Sequence, residues 1–300
     1  MSKSQFSRIW LLIAMVVMLL TETACGGGGS SIDVGSGGTG ISGAVTKGPL
    51  ANATVIAYGI AGGQPGAQIG STTTDGNGNY SMTLGAYSGP VMLQASGGSY
   101  KDEATGSVLP MAPGDVMAAV IPSVASGATV TGTQITPVTS MAQARAQQMA
   151  GGMTDVNIAA ANTAMGNYFS VSDILHVQPM NPLVPGSGSS ASPDARNYGM
   201  TLAAMSQYAK SLNMANTSAL VTSMMSDASD GMMDGKKGSS PISMSMGGMM
   251  GTAMMAPTAG TSGLATAMTN FVMSPANMSG LTTTDVAPLV QKMSSSGGQI

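Results

Sequence analysis

Six short runs between residues 41 and 135 either alternate apolar with polar positions or are rich in β-branched residues: 41–45, 54–58, 80–84, 91–95, 116–121 and 129–135. A two-residue period sends successive side chains to opposite faces, so each run predicts a strand with a buried face. Gly, Pro, Asn and Asp separate the runs. The sharpest separator is Thr74-Asp75-Gly76-Asn77-Gly78-Asn79-Tyr80, where Asp-Gly and Asn-Gly offer the positive φ angles of a tight hairpin. Short strands at such spacing predict an antiparallel β-sandwich over residues 41–136. Its turns and alternation read as self-contained.

Past Ile135-Thr136-Pro137 the period lengthens to that of a helix. Residues 140–150 predict a first helix, ended by Gly151-Gly152, and Thr154 caps a second that runs to about Phe169. A third, over 196–212, places Leu202, Met205, Ala209 and Leu212 on one face. Asn216 or Thr217 caps a fourth that ends near Asp230-Gly231. The stripes Leu264, Met268, Phe271, Val272 and Val286, Leu289, Val290, Met293 predict two more, with Pro288 in the first turn of the last. Flexible loops are expected near residues 178–194 and 231–261, which are dense in Gly, Ser and Pro or in Gly, Ser and Met. The fold class is therefore α+β, an N-terminal antiparallel β-sandwich followed by a Met-rich helical domain over residues 137–300.

The N-terminus carries an address. Lys3 and Arg8 precede the apolar run 9–20, which is too short as a helix, at about 18 Å, to cross the ~30 Å hydrocarbon core. Residues 1–24 read as an export signal. Ala24, the single cysteine Cys25 and the run Gly26-Gly27-Gly28-Gly29-Ser30-Ser31 follow. This segment resembles the lipobox of bacterial lipoproteins, departing from it at Glu22, where an apolar residue is expected. The resemblance implies a lipid on Cys25, attachment to the outer membrane, and a Gly/Ser tether over residues 25–40.

Composition narrows the function classes. Only 8% of residues are charged, with 10 Lys+Arg against 13 Asp+Glu and no basic run, so no electrostatic footprint for nucleic acid exists. One histidine and one cysteine exclude zinc ribbons, c-type haem attachment and any intramolecular disulfide. The formal dinucleotide match Gly35-Ser36-Gly37-Gly38-Thr39-Gly40 is followed by strand alternation, not by a helix whose N-terminus could take a pyrophosphate. No G-x-S-x-G elbow occurs, and Glu22 and Glu103 are the only glutamates. The reading is a non-enzymatic chain with no catalytic residues and no cofactor.

Methionine is the unusual component, 29 in all. On helix faces it fills irregular gaps in a core poor in aromatics. Met244, Met246, Met249, Met250, Met254 and Met255 differ, because they sit among glycines and show no single apolar face. Thioether sulfurs at such spacings select Cu(I) or Ag(I), which makes a periplasmic or surface soft-metal protein the alternative reading. His176, flanked by apolar residues, reads as a structural, hydrogen-bonded histidine. Asp227, Asp230 and Asp234 are oxygen ligands by type, but lack the spacing of an EF-hand loop.

Residues 41–55, Ile41-Ser42-Gly43-Ala44-Val45-Thr46-Lys47-Gly48-Pro49-Leu50-Ala51-Asn52-Ala53-Thr54-Val55, together with the Thr74-to-Tyr80 turn, resemble the carboxypeptidase-regulatory-like domain. That resemblance implies a small transthyretin-like β-sandwich that serves as an accessory module without catalytic residues of its own. The expected partners are the membrane, through the lipid, and an envelope protein or polysaccharide.

Overall fold

The structure is a computed structural model that describes residues 38–247 and 251–300. Nine strands come first: β1 (Gly40–Val45), β2 (Thr54–Ala61), β3 (Gln64–Thr73), β4 (Asn79–Thr83), β5 (Gly89–Ser96), β6 (Ser99–Lys101), β7 (Val108–Pro110), β8 (Val116–Val124) and β9 (Thr129–Ile135). They form a four-stranded sheet of order β3-β2-β5-β8, a three-stranded sheet of order β4-β1-β9, and the small β6-β7 pair. Helices α1 (Pro137–Gln148), α2 (Asp155–Phe169), α3 (Ser187–Ser190), α4 (Pro193–Ser211), α5 (Thr217–Ala228), α6 (Leu264–Val272) and α7 (Thr283–Ser295) follow, with four short strands β10 (Lys236–Lys237), β11 (Ser240–Pro241), β12 (Ser243–Ser245) and β13 (Thr252–Met254) between α5 and α6. The protein is α+β, with its strands mostly in the N-terminal part.

Alternation explains the sheet packing. Val55 and Ala57 of β2, Val91, Leu93 and Ala95 of β5, and Met117, Ala119 and Ile121 of β8 join Ile41, Val45, Tyr80, Met82 and Ile135 of the other sheet in one core. The intervening Tyr58, Met92 and Val120 face the other way, onto Ala146 of α1 and Ile158 and Ala161 of α2. The four-stranded sheet is thus covered on both faces, which is why 116–121 reads as a nearly unbroken apolar run.

Two details depart from the expected antiparallel hairpins. β9 lies parallel to β1, because the chain leaves β8 through residues 125–128, crosses to the other sheet, and arrives on the side of β1 away from β4. The Thr74-to-Tyr80 turn is no hairpin either: β3 pairs with β2 and β4 with β1, so the turn carries the chain between sheets. Of its residues only Gly78 has a positive φ, 80°. The bend is held instead by the Asp75 carboxylate, which accepts the N–H groups of Asn77 and Asn79, both at 2.8 Å.

Helices seal the free edge of β8. Ala118 donates its N–H to Ser140 Oγ at 2.8 Å and accepts Thr139 Oγ1 at 2.7 Å, while Asn162 Nδ2 donates to the Val120 carbonyl at 3.1 Å. Side chains of α1 and α2 therefore satisfy an edge that would otherwise present unpaired backbone. Nearby, Met153 N–H donates to Gly63 O at 2.8 Å. A Cβ on Gly63 would fall 1.9 Å from Gly151 O, so only glycine lets the β2-β3 turn meet the α1-α2 turn.

The helices share their own core, in which methionine recurs on every helix except short α3: Met141, Met165, Met200 and Met205, Met224, Met268 and Met293. Caps match the expectation at Thr154 and Asn216, whose side chains accept N–H bonds from Asn157 and Ser218. One placement is corrected. Thr282 and Asp285 form a capping box that starts α7 at Thr283, so Pro288 lies inside the helix and beyond its first turn. Its missing N–H leaves the carbonyl four residues back, on exposed Thr284, to water. The stretches 178–194 and 231–261 are not structureless, since they carry α3 and β10 to β13 and bury Met180, Met233 and Ile242.

Candidate functional site

Cys25, Met249 and Met250 lie outside the described residues. Of the remaining cluster, Met244 stands on β12, opposite Ala253 of β13, and Met254 stands opposite Ser243. Met244 and Met255 are buried in the helical core, and Met246 is buried as well. Met254 is 66% exposed and so is not brought together with them. Pairing in β12-β13 creates the inward face that the bare sequence pattern lacks: Ser243 and Ser245 point out, and Met244 points in. Among the described residues no group of three or more His, Cys, Asp or Glu converges to hold a metal ion.

The three aspartates near 230 work on backbone. Asp227, at the end of α5, accepts N–H bonds from Asp234, Gly235 and Lys236 through Oδ1, while its buried Oδ2 has no partner. Burial pushes its carboxyl up to about 6 against those three bonds. Asp230 accepts the N–H of Met232 and of Gly238, and Asp234 that of Lys236. His176 is exposed, its Nδ1 2.8 Å from Asp173 Oδ2.

The densest chemistry lies where the sheets meet the helices. Lys47, in the turn after β1, points its ammonium at Glu103 Oε2 (2.6 Å), Ser206 Oγ (2.5 Å) and the Leu202 carbonyl of α4 (3.3 Å). Ser206 Oγ stands 2.8 Å from Asp102 Oδ2 and 2.6 Å from Glu103 Oε2. Thr217 donates to the same Asp102 oxygen, and Asp102 Oδ1 accepts Ala104 N–H, Thr105 N–H and Thr105 Oγ1. Lys47 also lies 5.7 Å from the centre of the Tyr100 ring. Lys47, Asp102, Glu103 and Ser206 are all buried to 2% exposure or less.

Burial pushes the Asp102 carboxyl up, yet the Lys47 charge and the hydroxyls of Ser206, Thr217 and Thr105 outweigh it and hold the group below its ordinary value. Burial, aided by Asp102 and Glu103, drives the Tyr100 phenol upward. Two small cavities flank the cluster. One of about 70 Å³ touches Glu103, Pro49, Met180 and Leu202, and another of about 130 Å³ touches Asp102, Ser206, Lys210 and Thr217. A wider open groove of about 580 Å³ runs between α2 and α7, past Asn167, Tyr168, Lys292 and Gln299.

Sequence reasoning passed over this cluster. Its members come from positions 47, 102–103, 206 and 217, and no local motif joins them. One signal was present: in a chain with so few charges, Lys47 sits between Val45 and Leu50, and Asp102-Glu103 follows directly on a strand.

No family model matches the chain, and no curated protein matches it in sequence. Among solved structures, a 9R-lipoxygenase from Cyanothece aligns with 42% of this chain and 20% of its own, at 13% identity and a TM-score of 0.21. So low a score bears on neither fold nor activity.

Proposed function

We propose that this is a non-enzymatic, lipid-anchored protein of the cell envelope, exported, held at the outer membrane through Cys25, and structural, adhesive or binding in role. The observation that carries the reading is how firmly Thr39, fourteen positions after Cys25, is built into the fold. Thr39 is fully buried; it exchanges backbone bonds with Gly85 and Leu84, and its hydroxyl donates to the Tyr87 carbonyl and accepts from Gly127 N–H. Residues 26–38 separate it from the cysteine, and more than half of them are Gly or Ser. A Gly/Ser-rich sequence of that length has the composition of a linker spanning roughly 20 Å on average, which suits a tether to a lipid surface.

The two sheets that share a core support reading residues 41–136 as a transthyretin-like β-sandwich of the carboxypeptidase-regulatory-like kind. The burial of Met244 and Met255 among carbon side chains favours packing over soft-metal binding at those two positions. The partner in this reading is an envelope protein or a polysaccharide.

The test is Cys25→Ser, because the thioether to lipid forms on that sulfur. Metabolic labelling with a fatty-acid probe is expected to mark the wild type and not the variant, and the variant is expected in the soluble fraction. Equal labelling of both, or a wild type found wholly in the soluble fraction, rejects the anchor.

A further inference from the structure

We propose that Lys47 and Glu103 condense into an intramolecular amide, a covalent cross-link between the turn after β1 and the turn after β6, with Ser206 and Asp102 as positioning residues. This stands apart from the anchor at Cys25 and would hold without it.

The geometry supplies each requirement. The amine lies 2.6 Å from a carboxylate oxygen, and the two side chains are 2% and 3% exposed. Holding two reactants in contact inside one chain removes the entropy cost that makes amide formation unfavourable between free molecules. Exclusion of water removes the competing solvent. A buried ion pair carries a desolvation penalty that a neutral amide does not.

The hydrogen-bond count points the same way. All three ammonium protons of Lys47 are committed, to Glu103, Ser206 and Leu202. Ser206 owns one hydroxyl proton, yet its oxygen lies within hydrogen-bond distance of oxygens on both Asp102 and Glu103. Ser206 accepts from Lys47 and can donate its one proton to either carboxylate, which places it to pass a proton between them. Asp102, held by Thr217, Thr105 and two backbone N–H groups, is the fixed acceptor at the end of this relay.

The step balances without any co-reactant. A proton passes from Lys47 Nζ to Glu103, and the amine lone pair attacks Cδ. A second nitrogen proton travels through Ser206 Oγ and Asp102 to the departing hydroxyl, the Cδ–O bond breaks, and one water leaves. The 70 Å³ cavity against Glu103 gives that water a place to go. The third proton stays on the amide nitrogen, and nothing is oxidised or reduced.

Peptide mapping of the full chain by mass spectrometry, after unfolding and trypsin digestion, tests this directly. The expected result is one branched peptide carrying Lys47 and Glu103, lighter than its two linear parts by one water, with Lys47 neither cleaved nor labelled by an amine reagent. Lys47→Met abolishes it. Ser206→Ala keeps both reacting groups and is expected to slow formation roughly tenfold or more, with Ser206→Thr restoring it. Recovery of only linear peptides with a free Lys47 amine from the wild type, even after prolonged incubation, overturns the proposal. A link to Asp102 instead of Glu103 overturns the assignment of the acceptor.

Discussion

The sheet core and the helical core solve the same packing problem with different side chains. In the core between the sheets the buried positions are held mainly by Val, Leu, Ile and Ala, with Met82, Met111 and Met117 its only buried methionines among the described residues. In the helices methionine is the commonest large side chain and supplies part of the face of six helices. β-Branched side chains are stiff and fix one register, whereas the unbranched thioether bends to fill what is left. A core that adapts does not by itself dictate where its helices sit. In this protein polar contacts to the sheets do so: Ser206 and Leu202 of α4 meet Lys47, Thr217 of α5 meets Asp102, and Thr139, Ser140 and Asn162 close the edge of β8.

That comparison is broken most severely by removing the charge at the junction. Measured against chains in which Lys47 and Glu103 are still an ion pair, Lys47→Ala leaves Asp102 and Glu103 buried without their cation, and loss of one partner from a buried pair costs about 3–5 kcal/mol. Chemical denaturation is expected to show a transition shifted by that amount. A loss under about 1 kcal/mol, the range of exposed pairs, would mean that the sheets and helices are not locked there.

The two cores should then answer differently to substitution. Leu93→Ala, in a fully buried sheet position, is expected to cost about 2–5 kcal/mol, since the surrounding strands cannot collapse into the cavity. Met205→Leu, equally buried on α4, is expected to stay within about 1.5 kcal/mol because volume is nearly conserved and the neighbours repack. Equal losses at the two sites would remove the distinction between a rigid and an adaptive core. At the interface between them, Ser140→Ala leaves the Ala118 N–H of the β8 edge buried without an acceptor, at a cost of about 1–3 kcal/mol.

Much of the sheet and most of the helices were legible because their pattern is local. All six predicted strands and the caps at Thr154 and Asn216 fall within a few residues of where the structure has them. β3 was missed for a physical reason: as an edge strand it buries none of its ten residues, so Gln64 to Thr73 carries no alternation to read. The inward face of Met244 escaped notice because it exists only once β12 pairs with β13 across a gap in sequence. The Lys47 cluster was beyond reach of any local pattern, since Ser206 lies 159 residues from Lys47. What reads from sequence is what one element decides alone.

The smallest effect sharpens the comparison on the helical side, at the turn that closes α5. Asp227 has a carboxyl raised from 3.8 to about 6 by burial, with Oδ2 left unpartnered. In the unfolded chain the same group titrates near 3.8, so between the two values the folded state binds more protons than the unfolded one. The sign follows from linkage: the contribution of Asp227 is fully present below pH 3.8 and is lost as pH rises through about 6, above which it is flat. Asp227→Asn keeps an oxygen for the N–H groups of Asp234, Gly235 and Lys236 and removes the titration. Denaturation midpoints measured across that window are expected to fall more steeply with rising pH in the wild type than in the variant. The sheet-side carboxylate Asp102 is held low and does the opposite, contributing stability that is lost as pH falls. Parallel pH profiles for wild type and Asp227→Asn would mean that Asp227 is solvated and that the 231–238 turn is not closed over it.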